Sequence, residues 1–330
     1  MNKRGRPITI QPPSPSKTTS AKRWADAADL PGWVSEVTGL TIDQNSTVPG
    51  KPTVIVSDAG EWSLTQVVLM DAGAMDRDTF QTRVTRAYSD LLESLQATRA
   101  PFPVRAWNTL PDIHRVTGDG EDLYMVFNAG RHEAFVRWLA DTKQMKDHLP
   151  TASAIGHESG DLVISILARC EAGGNIENPR QVPAFHYSNR FGPVPPSFVR
   201  ATAVDRSANE QLLCVAGTAS VVGEVSLHED DLHQQLCETT RNLATICRTA
   251  QNANKPDGLR DDSDVDALSR YAAVRAYVRH RKHADEVEKY LRIAMPNLEA
   301  LELVRADICR LELLVEIEGI AGLPTSAVLG

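Results

Sequence analysis

The chain has 330 residues, 42% of them apolar and 24% charged, with a formal net charge of -8; this is enough for about two ordinary domains with a real core, and it excludes wholesale disorder or a fibre. No basic face stands out, which argues against a nucleic-acid partner. No apolar run approaches the ~20 residues that span a bilayer, so no membrane partner is expected. Met1 to Lys22 is basic and rich in Pro, Ser and Thr without an apolar core segment, so residues 1–25 read as a disordered tail and not as a secretory signal. Thr53 to Ser57 and Ser63 to Leu69 read as strands around the turn Asp58, Ala59, Gly60. Phe80, Val84, Ala87, Leu91 and Leu95 then recur at helical spacing. Pro103 to Asn108 is extended, Leu123 to Phe127 reads as a strand, Asn128 to Gly130 as a breaker, and the next helix carries Ala134, Trp138 and Leu139.

The second half repeats this plan. Gln211 to Gly217 and Thr218 to Glu224 read as strands, followed by a long helix through Leu232, Leu236, Leu243 and Ile246. Glu229, Asp230 and Asp231 stand where the positive end of that helix favours acids, a structural role. Asn252 to Asp264 reads as a polar surface loop, Tyr271 to Val278 as a strand, and a helix with Ala284, Val287, Leu291 and Met295 is stopped by Pro296. Val104-Arg105-Ala106-Trp107 follows the first long helix as Val274-Arg275-Ala276-Tyr277 follows the second. The shared order of elements predicts an α+β chain of two similar halves, 26–150 and 151–330, with helices packed on antiparallel-rich mixed sheets.

The chain closes on two alternating runs, Leu303 to Cys309 and Leu311 to Ile317. In the second, Leu311, Leu313, Val315 and Ile317 share one face, and Glu312, Leu314, Glu316 and Glu318 the other. If that second face is covered, Glu316 becomes a carboxyl group whose proton affinity is raised by desolvation; if it is open, these are solvated glutamates.

Pro183 to Arg200 is dense in proline, glycine and aromatic residues and carries Arg190 and Arg200. A stiff segment holds guanidinium groups ready to grip a planar anion, although each arginine is equally suited to pairing with a local surface acid. Gly217, Thr218, Ala219 and Gly223 lie in a run of small residues that marks either close approach by a ligand or a bulge.

The five cysteines form no CxxC pair and are odd in number, which fits free thiols in the cytoplasm. Cys309 has no evident base nearby in sequence and reads as a packed or pocket-lining thiol. His280 and His283 are flanked by Arg279, Arg281 and Lys282, which repel a cation. With no P-loop, GxSxG or GxGxxG, chemistry without metal, nucleotide or covalent cofactor is expected.

The ending LVRADICRLELLVEIEG (Leu303 to Gly319) resembles the last strands of the YjgF/RidA-like fold. VRAWNTLPDI (Val104 to Ile113), YMVFNAGR (Tyr124 to Arg131), FHYSNRFGPVPPSFVRA (Phe185 to Ala201) and GTASVVGE (Gly217 to Glu224), in this order, make the chain similar to the chorismatases over roughly residues 100 to 320. The resemblance implies two YjgF/RidA-like halves and cleavage of chorismate to pyruvate and a ring product, with no cofactor. It implies Glu316 as the acid that protonates the enolpyruvyl group. Arg200, with Arg190 or Arg279, is implied for the substrate carboxylates, and Tyr187 for the ring hydroxyl or a carboxylate.

One branch of the family hydrolyses chorismate to a dihydroxycyclohexadiene carboxylate. Another forms 3-hydroxybenzoate with a small residue and a cysteine in its pocket, and Cys309 with Gly223 looks like the second. The chain departs from the family pattern in two ways: Glu224 stands where a histidine is expected, and Asn189 with Phe191 replaces a more basic, tyrosine-bearing loop. The rival readings are a RidA-like imine hydrolase using Arg305 and Glu316, and a small-molecule-binding protein without turnover. The expected assembly is a monomer or small homo-oligomer.

Overall fold

The computed structural model describes residues 24–41, 54–139, 145–207, 210–253 and 263–324. The expected tail falls outside these except at its end, where β1 (Trp24–Ala25) is a short strand, and most of the expected loop at Asn252 to Asp264 also lies outside. The first half continues with α1 (Trp33–Thr38), β2 (Ile55–Ala59), β3 (Trp62–Leu69), α2 (Arg77–Gln96), β4 (Phe102–Pro111), α3 (Leu123–Leu139), α4 (Met145–His148), β5 (Thr151–His157) and β6 (Leu162–Arg169). The second comprises β7 (Gly174–Ile176), β8 (Ala201–Ser207), β9 (Glu210–Ala219), β10 (Val221–Val222), β11 (Val225–Ser226), α5 (Leu232–Ala253) and α6 (Asp264–Leu268). It ends with β12 (Tyr271–Val278), α7 (Ala284–Ala294), β13 (Ala300–Arg305), β14 (Asp307–Ile308) and β15 (Val315–Pro324).

The two sheets have one design. The first runs β14-β5-β4-β6-β3-β2 and the second β1-β13-β12-β15-β9-β8-β7. In each, a parallel pair, β4 with β5 or β12 with β13, is extended by antiparallel neighbours, and the second sheet adds β1 parallel to β13 at its edge. The α+β class with two similar halves therefore holds, and Trp107 and Tyr277 occupy matching places on the middle strands. Pairing carries the first half to Arg169, because β5 and β6 join the first sheet; the expected division at residue 150 falls ahead of both strands.

Helices cover the outer faces: α2 and α3 bury Phe80, Leu91, Phe127 and Phe135 against the first sheet, and α5 and α7 bury Leu236, Leu243, Val287 and Leu291 against the second. α2 forms where its apolar spacing places it, and the Asp76 side chain caps it by accepting from Thr79 N at 2.9 Å. The inner faces meet through Leu64, Trp107, Leu167, Leu212 and Ile320, closed over by Leu30, Trp33 and Leu40 from the N-terminal segment.

Three local expectations are corrected. Leu123 to Gly130 is the first part of a continuous α3, not a strand and a breaker. This helix is buried on nearly every side, so its apolar residues show no helical period. Gly130 is a contact point: a Cβ there would lie 2.8 Å from the Gln81 carbonyl oxygen and 2.9 Å from Val84 Cβ, where α2 crosses. Thr218 to Glu224 is likewise not one strand, since β9 ends at Ala219 and β10 and β11 form a small hairpin. The last strand begins at Val315, not Leu311. Gln235 of α5 donates to Glu312 O at 2.8 Å and accepts from Leu314 N at 2.8 Å, which holds Cys309 to Leu314 as a turn. Only Val315 to Glu318 keep the expected alternation, with Val315 and Ile317 in the core under α5 and Glu316 and Glu318 facing the other sheet.

Candidate active site

A cavity of about 400 Å³ opens where the two halves meet. Ser153 of β5, Gly217 and Ala219 of β9 and Glu316 of β15 form its floor. α3 contributes Tyr124 and Arg131, the proline-rich segment contributes Tyr187, Phe198 and Arg200, and the turn before β15 contributes Cys309 and Leu313.

Glu316 is 4% exposed. Burial pushes its carboxyl up to about 8, the charge of Glu318 adds to this, and Arg105 and Arg200 oppose it. At neutral pH it carries a proton and can give it up, the condition for a general acid. Its seat depends on a bulge. Thr218 pairs with Ile317 and Val215 with Gly319, so Ala216 and Gly217 stand together opposite Glu318. Gly217 N thereby donates to Ser153 Oγ at 2.9 Å, and a Cβ on Gly217 would overlap Oε1 of Glu316.

Arg200 is buried, lies over Phe198 and Tyr187 at 5.2 and 5.6 Å, and donates to Tyr187 OH at 2.6 Å and Val182 O at 3.2 Å. Its Nε has no partner. Arg131 is 1% exposed and lies between Phe127 and Phe198; it donates to Asn128 Oδ1 at 2.8 Å, and its Nε is also unpartnered. Among the described residues neither guanidinium pairs with a carboxylate at salt-bridge distance, so both keep donors for a bound anion. Burial pushes the Cys309 thiol up to about 12, aided by Glu316, so it is a neutral wall group and not a thiolate.

The structure gathers Glu316, Cys309, Tyr187, Arg190, Arg200, Gly217 and Ala219 around one cavity. Arg190 is exposed at its edge, stacked on Phe191. Thr218, Gly223 and Arg279 are not there. Strand alternation turns Thr218 away, with its hydroxyl on Ala216 O. Gly223, at φ 60°, forms the turn between β10 and β11, and Ala219 is the small residue that clusters with Cys309. Arg279 is close enough to His114 to act on its charge, lies 4.0 Å from Asp307 and does not line the cavity. Glu224 ties down the proline-rich segment by accepting from Ser188 N and Oγ. Arg305 pairs with Asp307 at 2.9 Å and does not line the cavity.

Sequence reading passed over Arg131, Tyr124 and Ser153. Tyr124, Asn128 and Arg131 fall at i, i+4 and i+7, a polar stripe legible once the segment is taken as a helix.

The chain matches the chorismatase family model described as FkbO/Hyg5-like, N-terminal, over residues 41–168, ending inside β6. It is 35% identical over 245 residues to a 3-hydroxybenzoate synthase of Streptomyces hygroscopicus, covering 72% of this chain and 69% of that one. The chain belongs to the chorismatase family. A chorismatase of Streptomyces hygroscopicus is 31% identical over 70% of this chain and 65% of its own. A chorismatase crystal structure superposes with a TM-score of 0.71 at 24% identity, covering 86% of this chain and 78% of that one, so the fold is shared. No helix among the described residues is long and apolar enough to cross a membrane.

Proposed function

We propose that this chorismatase converts chorismate to pyruvate and 3-hydroxybenzoate, with Glu316 as the general acid. The observation that carries the reading is a buried carboxyl, its proton affinity raised by desolvation, in a cavity whose walls hold two buried guanidinium groups, each with an unpartnered Nε. The substrate carries two carboxylates, which suit Arg200 and Arg131, with Tyr187 beside the first. Arg190 at the rim adds to the attraction for a dianion.

Glu316 gives its proton to the methylene carbon of the enol ether, leaving an oxocarbenium-like centre. Attack by the neighbouring ring hydroxyl, followed by cleavage of that hydroxyl's bond to the ring and of the original ether bond to the side chain, releases pyruvate; loss of a ring proton makes the ring aromatic. The two products together have the composition of chorismate. Attack by water instead consumes one water and leaves a dihydroxycyclohexadiene carboxylate. Cys309 and Ala219, packed with Val221 and Leu313, give the floor an apolar corner suited to the anhydrous route. The similarity to a 3-hydroxybenzoate synthase supports the same choice.

The test is incubation of the purified chain with chorismate, following pyruvate with a coupled dehydrogenase and identifying the ring product by mass and retention time. Pyruvate with an equal amount of 3-hydroxybenzoate is expected. The hydrolytic product overturns the branch assignment, and no pyruvate above background overturns the reading.

A further inference from the structure

Two residues beyond Glu316 on the same face of β15 lies a second buried acid, Glu318, which is 1% exposed. The two carboxyls differ sharply in their surroundings. Glu318 accepts from Arg105 Nη2 at 2.5 Å, Ser153 Oγ at 2.5 Å and Tyr277 OH at 2.9 Å on one oxygen, and from Trp107 Nε1 at 2.8 Å on the other. These donors come from β4, β5 and β12, so both sheets contribute to the clamp. Glu316 makes no such bonds; only burial and the charges of its neighbours act on it. Where two carboxyls share a poorly solvated site, the one surrounded by donors keeps the negative charge and the one without them keeps the proton.

We propose that Glu318 is a positioning residue for the reaction: a carboxylate locked between the sheets whose fixed negative charge keeps the proton on Glu316 until substrate takes it. The inference rests on the general-acid reading of Glu316. Other groups facing Glu316 are Arg105 on β4, Arg200 at the end of the proline-rich segment, Tyr124 on α3 and Cys309 in the turn. The two arginines oppose Glu318, while tyrosine and thiol stay neutral because burial raises both. Ser153 links the clamp to the cavity floor, since its hydroxyl donates to Glu318 and accepts from Gly217 N.

The duplication gives the device a natural contrast. In the first half the places matching Glu316 and Glu318 hold Ser165 and Leu167, paired opposite Trp107 and Arg105. The acid pair belongs to the second half alone, while the Arg105, Trp107 and Ser153 that clamp it come from the first.

The test is the pH profile of kcat for the full chain and for Glu318→Gln. The alkaline limb, where Glu316 loses its proton, should move down by about one to two pH units in the variant, with the acid-side plateau kept within about threefold. An unmoved limb with equal loss at every pH assigns Glu318 a merely structural role and overturns the proposal. Because Glu318→Gln leaves Arg105 buried without its partner, a second measurement needs no variant: carbon-13 spectroscopy of the glutamate carboxyls in the native chain. Of the two carboxyls, Glu316 should carry the proton, since the donors all converge on Glu318; a proton resident on Glu318 overturns the inference. Failure of the chorismate reading itself would appear as no pyruvate from the native chain, whereas the carboxyl titration would still decide the role of Glu318.

Discussion

The backbone of Gly217 lies directly beneath the carboxyl of Glu316: a Cβ on Gly217 would overlap Oε1, fall 2.7 Å from Cδ and 2.9 Å from Ser153 Oγ. Gly217→Ala should therefore displace the acid without disturbing the pairing of β9 and β15. Turnover should fall about 100-fold, as expected for an acid moved from its working position. Steady-state kinetics with circular dichroism checks this, and a folded variant with normal turnover would show that Glu316 can work from another rotamer.

Glu316→Gln keeps the shape and removes the transferable proton, so kcat should fall about 1000-fold with little change in the Michaelis constant. Turnover near the native value would move the acid elsewhere.

The same variant has a stability signature. The carboxyl titrates near 8 in the folded chain against 4.5 ordinarily. Below 4.5 both states are protonated, and between 4.5 and 8 only the unfolded state has released its proton. The native chain thus loses about 1.4 kcal/mol of stability per pH unit from this group across that window. Glu316→Gln, free of this loss, should equal the native chain near pH 4.5 and exceed it by a few kcal/mol, on the order of the same linkage, at pH 8. Urea unfolding at both pH values measures the difference, and a constant difference would place Glu316 in the ordinary carboxylate range.

Cys309→Ala removes a neutral wall group packed near Ala219 and Leu313 and makes room for water beside the reacting carbon. The ring product should shift toward the hydrolytic one, read by chromatography with mass detection. Identical product ratios would show that the thiol does not steer the outcome.

Arg200→Ala removes a buried guanidinium held by Tyr187 and the Phe198 ring. The Michaelis constant should rise roughly tenfold or more, the range of a charge-assisted hydrogen bond, with partial recovery in Arg200→Lys. Normal kinetics would leave the carboxylates to Arg131 and Arg190.

Gly130→Ala tests the crossing of α2 and α3. Alanine favours a helix over glycine by about 1 kcal/mol, but its methyl group would press on the Gln81 carbonyl, and overpacking costs roughly 1–3 kcal/mol. A net loss of about 1 kcal/mol is expected in denaturant titration, whereas a gain would mean that the helices part freely.

Local pattern carried much of this architecture. Helical spacing from Phe80 to Leu95 placed α2, Ser63 to Leu69 and Tyr271 to Val278 read as the strands that became β3 and β12, and the matched Val-Arg-Ala steps on β4 and β12 disclosed the duplication. Glu316 was legible as an acid on the face of a strand, and Arg200 as a cation on a stiffened segment, because those features depend on near neighbours. The buried helix α3 was not legible: a segment enclosed on nearly all sides loses the apolar-polar contrast that marks a surface helix. Nor was the start of β15, which Gln235 sets through backbone bonds made about eighty residues away in sequence. The proton on Glu316 depends on burial and on Glu318, whose clamp draws Arg105 from 213 residues earlier in the chain. Periodicity reports which face of an element turns inward; which groups meet there, and hence which carboxyl keeps its proton, follows only from how the two halves pack.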